Sequence, residues 1–286
     1  MTYRILTDSC CDLSQKMCKE LELTSVPLMV HYRGQNLKNY SEKQLKEIYT
    51  ALRAEEPATT SAANPQDWED ALVPVLEQGE DALVLAFSSG LSTTYQSAVI
   101  AAGELADRFP ERKIRVVDTL SASMGQGLLV YYACQKRDAG MSLDELADWC
   151  EEKKHSVCQW FTVDDLFYLK RGGRISAATA IAGTMLQIKP VLHVDKEGHL
   201  VNVSKVRGRK ASIAALAKKM ADTMLPGEND TVFISHGDCR EDAEYLVKLL
   251  QEQCKVKRVL INYVGAVIGS HSGPGTLALF FLGNER

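Results

Sequence analysis

The stretch DALVLAFSSGLSTTYQSA, residues 81–98, decides the fold. Its first seven residues form a short, nearly continuous apolar run, which suits a strand buried on both faces. Ser88, Ser89, Gly90 and Ser92 then make a small polar turn, and a helix-forming run follows. Strand, small turn, helix is the repeating unit of a parallel sheet. It aims backbone N–H dipoles at an oxyanion beyond the strand's carboxyl end. The turn is not a P-loop, because no Gly-Lys-Ser/Thr ending follows, and it lacks G-x-G-x-x-G spacing. It also lacks the G-x-S-x-G context of a nucleophile elbow.

Working outward, KIRVVD (113–118) is a second buried run, and DTLSASMGQG (118–127) repeats the polar turn after it. Two neighbouring strands ending this way favour an anion site over two plain turns. YRILTD (3–8) and TSVPLMVHY (24–32) read as further strands. Helix starts are marked by capping pairs at Asp12/Gln15, Ser41/Gln44 and Ser142/Glu145, the last with Met141 placed to staple onto Leu146. Asn64 with Pro65 marks another start, and Pro74 bends or shortens that helix. Repeated βα units predict a parallel α/β domain over residues 1–155, with helices on both faces.

The second half reads differently. PVLHVDKEGHLVNVSKV (190–206) predicts a hairpin turning at DKEG. Residues 212–225 predict a helix with Ile213, Leu216, Met220 and Met224 on one face; strand, helix and strand follow at 231–236, 240–254 and 258–264. The expected whole is an α/β protein of two parts. A smaller α+β domain with a mixed sheet covers 156–286, and the 265–279 segment lines the cleft between the domains.

The chain has 286 residues, 45% hydrophobic and 24% charged, as in ordinary globular proteins. No apolar run approaches the roughly 20 residues of a membrane span, and the N-terminus reads as strand and turn, so the expected location is the cytoplasm. Eight scattered cysteines without a C-x-x-C pair predict reduced, structural thiols. Residues 166–221 hold eleven Lys or Arg against two acids, a balance of +9; with −4 overall, the remainder carries −13. That asymmetry predicts an anionic ligand or an acidic partner.

Five further stretches could carry chemistry. PATTSAANP (57–65) offers Thr59, Thr60 and Ser61 before a helix start, either an anion seat or a plain capped turn. YLKRGGRISAATAIAGTMLQIKP (168–190) sets Lys170, Arg171 and Arg174 around Gly-Gly, before a small-residue, helix-like run that packs closely or leaves room for an apolar ligand. VSKVRGRKAS (203–212) adds Lys205, Arg207, Arg209 and Lys210. ISHGD (234–238) places His236 and Asp238 at a strand end, with no third metal ligand evident. VIGSHSGPGTLALFF (267–281) sets His271 among serines and glycines.

Taken together, TDS (7–9), TTS with Pro65, SSGLSTTYQSA, DTLSASMGQG, LKRGGRIS, IKPVL, VRGRKA and IGSHSGPGTLAL resemble the DegV family, in order through nearly the whole chain. The resemblance implies two α/β domains with a long-chain fatty acid between them and no cofactor. It implies a carrier that is not itself an enzyme. The carrier presents the fatty acid's carboxylate to a separate ATP-dependent fatty acid kinase, and the acyl-phosphate feeds phospholipid synthesis. By motif, Thr60, Ser61 and Ser92 hold the carboxylate with His271 near it. Arg174 and Arg207 belong to a basic face that assists phosphotransfer. A bacterial monomer with at most transient membrane contact, and no nucleic acid, completes that expectation. Two positions depart from the family's pattern: Thr93 follows Ser92 where Gly is usual, and Ala62 follows TTS where Gln is frequent.

The energetics permit it. A sixteen-carbon chain buries about 14 methylenes at roughly 0.8 kcal/mol each, on the order of 11 kcal/mol, against an association cost of at least about 4 kcal/mol. Neutral hydroxyls then suffice at the head group, with charge from His271 if it protonates. The 176–184 run and TLALFF are candidate tail walls. The rival from another class is a serine-dependent acyl hydrolase or transferase using Ser92 and His271, for which no orienting acid is identifiable. A nucleic-acid binder using the +9 segment is a further rival, weakened by its scarcity of aromatics.

Overall fold

The computed structural model describes residues 2–176 and 187–286. The small-residue run expected at 176–184 falls, apart from Ser176, outside them. Three sheets organise the chain. A four-stranded parallel sheet has the order β2-β1-β6-β7, from β1 (Tyr3–Asp8), β2 (Thr24–Val26), β6 (Asp81–Ala86) and β7 (Ile114–Asp118). A six-stranded mixed sheet has the order β10-β9-β8-β13-β11-β12. Its strands are β8 (Val157–Thr162), β9 (Ile188–Val194), β10 (Leu200–Arg207), β11 (Thr231–His236), β12 (Arg258–Tyr263) and β13 (Leu277–Leu282). Only β11 and β12 pair in parallel there. A small antiparallel sheet has the order β4-β3-β5, from β3 (Met29–Tyr32), β4 (Gln35–Leu37) and β5 (Thr59–Ser61).

Strand alternation sorts the core into layers. Every residue of β6 is buried. Ala82, Val84 and Ala86 pack towards the helices Pro65–Glu77 and Thr94–Arg108. Leu83 and Leu85 pack the other way, onto the helices Met124–Asp138 and Leu143–Lys153. The same core reaches the mixed sheet at Phe161, Phe233 and Phe280. The far face of that sheet, with Leu277, Leu279 and Phe281, is covered by the helices Arg209–Thr223 and Arg240–Cys254. Helix, sheet, helix, sheet, helix is the order of layers. One continuous core therefore straddles the division expected near residue 155.

The Ser41/Gln44 and Ser142/Glu145 capping boxes form, and Asn64 forms one with Asp67. Two expectations are corrected. Asp12 does not cap the start of the following helix; it ends the 3-10 turn Ser9–Cys11. Ser14 caps Gln15–Glu20 by accepting the Met17 N–H, while Asp12 sits in a left-handed conformation with its carboxylate turned to Ser123 and the Gly265 N–H. Residues 24–32 are two strands in two sheets, separated at Pro27, which has no N–H for a ladder. Of the two outcomes expected at Pro74, shortening does not occur: the helix continues to Glu77.

The hairpin turns where expected: Asp195 Oδ1 accepts the Glu197 and His199 N–H groups. Its tip docks on the polar turn after β6, where Ser88 Oγ donates to Gly198 O at 2.9 Å. Gly198 has φ +81°, and a Cβ there would lie 2.1 Å from Ser88 Oγ, so only glycine fits.

Candidate functional site

The polar turns after β6 and β7 are adjacent, as those strands pair. Asp118 ties them together, its Oδ1 accepting both the Ser89 and Leu120 N–H groups at 3.2 and 3.0 Å. Beyond them, between the parallel and mixed sheets, lies a cavity of about 490 Å³. That is within the range of small-molecule sites. Its wall is largely apolar, with Leu28, Phe87, Leu91, Phe161, Leu169 and Phe280 among the contributors. TLALFF has two roles, set by strand alternation. Ala278 and Phe280 face the cavity, and Leu277, Leu279 and Phe281 face the opposite core.

A polar group on the same wall contains Thr60, Ser92, Arg174 and His271. His271 lies in the last turn of the Ala266–Ser272 helix, and its Nε2 meets Thr60 Oγ1 at 2.7 Å. The two residues are 211 apart in sequence. Gly172 makes the approach possible: a Cβ there would stand 2.3 Å from His271 Nδ1. Burial, followed by the charges of Arg174 and Arg171, pushes the His271 pKa down to about 4. The imidazole is therefore neutral at pH 7, and the charge allowed for in the sequence reading is not there.

Positive charge comes instead from Arg174. Its Nη2 donates to Leu91 O at 2.9 Å and its Nη1 to Gly172 O. Burial lowers its pKa from the usual arginine value, yet among the described residues it pairs with no carboxylate. Ser92 Oγ bonds Thr94 Oγ1 at 2.8 Å and accepts the Thr94 N–H, the first N–H of the helix beside the cavity.

Two expected site residues are not brought in. Ser61 alternates away from Thr60 along its strand and bonds His31 Nε2 at 2.6 Å on an exposed face. Arg207 is exposed at the end of β10 and does not line the cavity. Part of the +9 segment is neutralised from outside it, with Lys189 on Asp164, Arg209 on Asp242 and Lys219 on Glu285. His236 is buried against Tyr263, and among the described residues no group of His, Cys, Asp and Glu could hold a metal ion.

Sequence reading missed other wall residues. Gln159 interrupts an otherwise apolar strand, the one signal that marked it. Its Oε1 accepts the Ala122 N–H and its Nε2 donates to Ser121 Oγ, so it fixes the turn after β7. Ser123 and Ser235, whose hydroxyls meet at 2.9 Å, carried no such signal.

The sequence profile of the DegV family matches residues 2–284. The chain belongs to the DegV family. A DegV domain-containing protein of Clostridium perfringens is 43% identical over 99% of this chain and 98% of its own. A fatty-acid-binding DegV family protein of Thermus thermophilus is similar in structure, with TM-score 0.87, 33% identity, and 99% and 100% of the two chains covered. DegV of Bacillus subtilis, also a fatty acid binding protein, matches with TM-score 0.83 and 27% identity, over 99% and 100% of the two chains. The DegV fold is thus an α/β fold with a parallel sheet and a separate mixed sheet. Among the described residues no helix is long and apolar enough to cross a membrane.

Proposed function

We propose that this DegV protein holds a long-chain fatty acid in the cavity between its sheets, with the carboxylate at Thr60, Ser92, Arg174 and His271. The observation that carries this reading is Arg174: a partly buried guanidinium without a carboxylate partner among the described residues, on the wall of an apolar cavity. A buried cation is costly unless an anion joins it, and a ligand carboxylate would supply that anion. The tail binds through apolar burial alone. His271 acts as a neutral positioning group. Donating from Nε2 to Thr60 Oγ1, it leaves the Thr60 proton free to point at the ligand oxygen.

The protein is proposed as a cytoplasmic carrier without catalytic activity of its own, built of domains 1–155 and 156–286. Its partner is an ATP-dependent fatty acid kinase, which phosphorylates the presented carboxylate to an acyl-phosphate. This part rests on the family resemblance and on the basic side chains of the 166–221 segment, among them Arg171, whose charge reaches His271, and the exposed Arg207. The hydrolase reading is disfavoured by geometry. Ser92 Oγ is bonded to Thr94 and His271 Nε2 to Thr60, and no described carboxylate orients the imidazole.

The test is uptake of a defined fatty acid by delipidated protein, wild type against Arg174→Ala. At least tenfold weaker uptake by the variant is expected. Equal uptake by both would remove Arg174 from the head-group site.

A further inference from the structure

The cavity between the sheets has a second polar spot, apart from the group at Thr60, Ser92, Arg174 and His271. From the helix that bears His271 the chain runs into β13, and Thr276, Ala278 and Phe280 face the cavity in turn. Ser235 of β11 pairs with Ala278 on one side, and Phe161 of β8 pairs with it on the other. Ser235 therefore sits one pleat, about 7 Å, further along β13 than Thr276. Ser123 meets it from the turn after β7, with the two Oγ atoms 2.9 Å apart. Both serines are buried, and both line the cavity. Ala122, Phe161, Val264, Ala278 and Phe280 share the wall with them.

The other buried polar side chains of this wall are spent on the protein itself. Gln159 uses both ends of its amide on the turn after β7. Thr276 Oγ1 donates to the Ser272 and Gly273 carbonyls. The serine pair differs. Ser123 stands at the start of the Met124–Asp138 helix but its hydroxyl does not cap it. Its φ of +53° is unusual for a residue with a Cβ. The hydroxyl turns instead to Asp12 Oδ2 and to Ser235. Among the described residues, Ser235 Oγ bonds Ser123 Oγ and nothing else.

Counting protons shows what is left over. A serine hydroxyl donates once and accepts twice. With Asp12 ionised, the Ser123 proton goes to the carboxylate, and Ser235 donates to Ser123. Both lone pairs of Ser235 then remain for a donor. With Asp12 protonated, the chain runs the other way, and Ser235 keeps its proton for an acceptor. An alcohol is donor and acceptor at once, so it satisfies Ser235 in either state. A methylene satisfies it in neither.

We propose that Ser235, backed by Ser123 and Asp12, is a subsite for a hydroxyl group on the acyl chain, so that the cavity favours a mid-chain hydroxy fatty acid over the plain acid of equal length. The inference rests on the fatty-acid reading above, in which a plain tail binds through apolar burial alone, and it names the substrate class.

The test is competition against a fluorescent fatty acid on delipidated protein. The competitors are palmitic acid and its hydroxy derivatives substituted near the carboxyl, in mid-chain and at the chain end. In a wholly apolar tail site every hydroxy acid binds at least about fivefold more weakly than palmitate, because its hydroxyl is buried without a partner. With the subsite, a mid-chain isomer should bind about two- to tenfold more tightly than palmitate. Ser235→Ala should reverse that order, weakening the mid-chain isomer and tightening palmitate. Palmitate bound more tightly than every hydroxy isomer by the wild-type protein overturns the subsite and leaves the fatty-acid reading standing. A mid-chain preference that survives Ser235→Ala overturns the assignment to Ser235. Failure of palmitate and all the isomers to bind overturns the fatty-acid reading, and the subsite with it.

Discussion

Gly172→Ala isolates the contact that holds His271. Gly172 has φ −74° and ψ −6°, a right-handed helical geometry that alanine adopts without strain. On backbone grounds alone the substitution is favourable by about 0.5–1 kcal/mol. Its Cβ, however, would stand 2.3 Å from His271 Nδ1, where ordinary contact begins at 3.4 Å. The ring must retreat by about 1 Å, and the 2.7 Å bond from Nε2 to Thr60 Oγ1 then passes beyond hydrogen-bond reach. Overpacking costs about 1–3 kcal/mol, and the lost bond about 0.5–1.5 kcal/mol. The expected net effect is a destabilisation of about 0.5–4 kcal/mol. It is read by urea denaturation, together with a change in the His271 ring signals in nitrogen-resolved NMR. The sign discriminates. A variant more stable than wild type, with unchanged His271 signals, would refute the close approach of the 172 turn and the 271 helix.

His271→Ala should fold and retain fatty acid, yet support acyl-phosphate formation by the kinase poorly; full activity in a coupled assay would remove His271 from phosphotransfer. The same variant tests the pH linkage. An imidazole held near 4 in the fold and near 6.5 when unfolded stabilises above pH 6.5 and loses that contribution as pH falls towards 4. His271→Ala should therefore gain about 2 kcal/mol relative to wild type between pH 7 and pH 5, and equal pH slopes in urea denaturation would contradict the buried neutral ring. Asp12, pushed up to about 7 by burial, works in the opposite sense: its charged form costs stability at neutral pH, and the cost fades as pH falls through 7. Gly198→Ala should free the hairpin tip from Ser88 and accelerate lipid exchange, checked by release of a fluorescent fatty acid; wild-type exchange would mean that the tip does not hold the cavity closed.

How much of this was legible in the sequence depends on how local each signal is. The β6 unit, the capping boxes at Ser41 and Ser142 and the hairpin at DKEG were readable because each is set within a few residues. Asp12 was misread because three-residue spacing to Gln15 mimics a cap, while its real partners, Ser123 and Gly265, lie more than 110 residues away. Ser61 shared a motif with Thr60 but not a face, since strand alternation turns neighbours to opposite sides. The pairing of Thr60 with His271 depends on the small antiparallel sheet packing against the 266–272 helix, which no periodicity in either stretch announces. Arg174 was assigned to a basic face that assists phosphotransfer, but its place on the cavity wall, bonded to Leu91 O after the Gly172-Gly173 turn, was not legible in the motif.

The most direct test of lipid carriage is mass spectrometry of the purified protein, first native and then denatured with solvent extraction. One C14–C18 fatty acid per chain, bound in the native spectrum and released on denaturation, is the predicted result. A protein that is empty, and that stays empty when offered fatty acids, would contradict it.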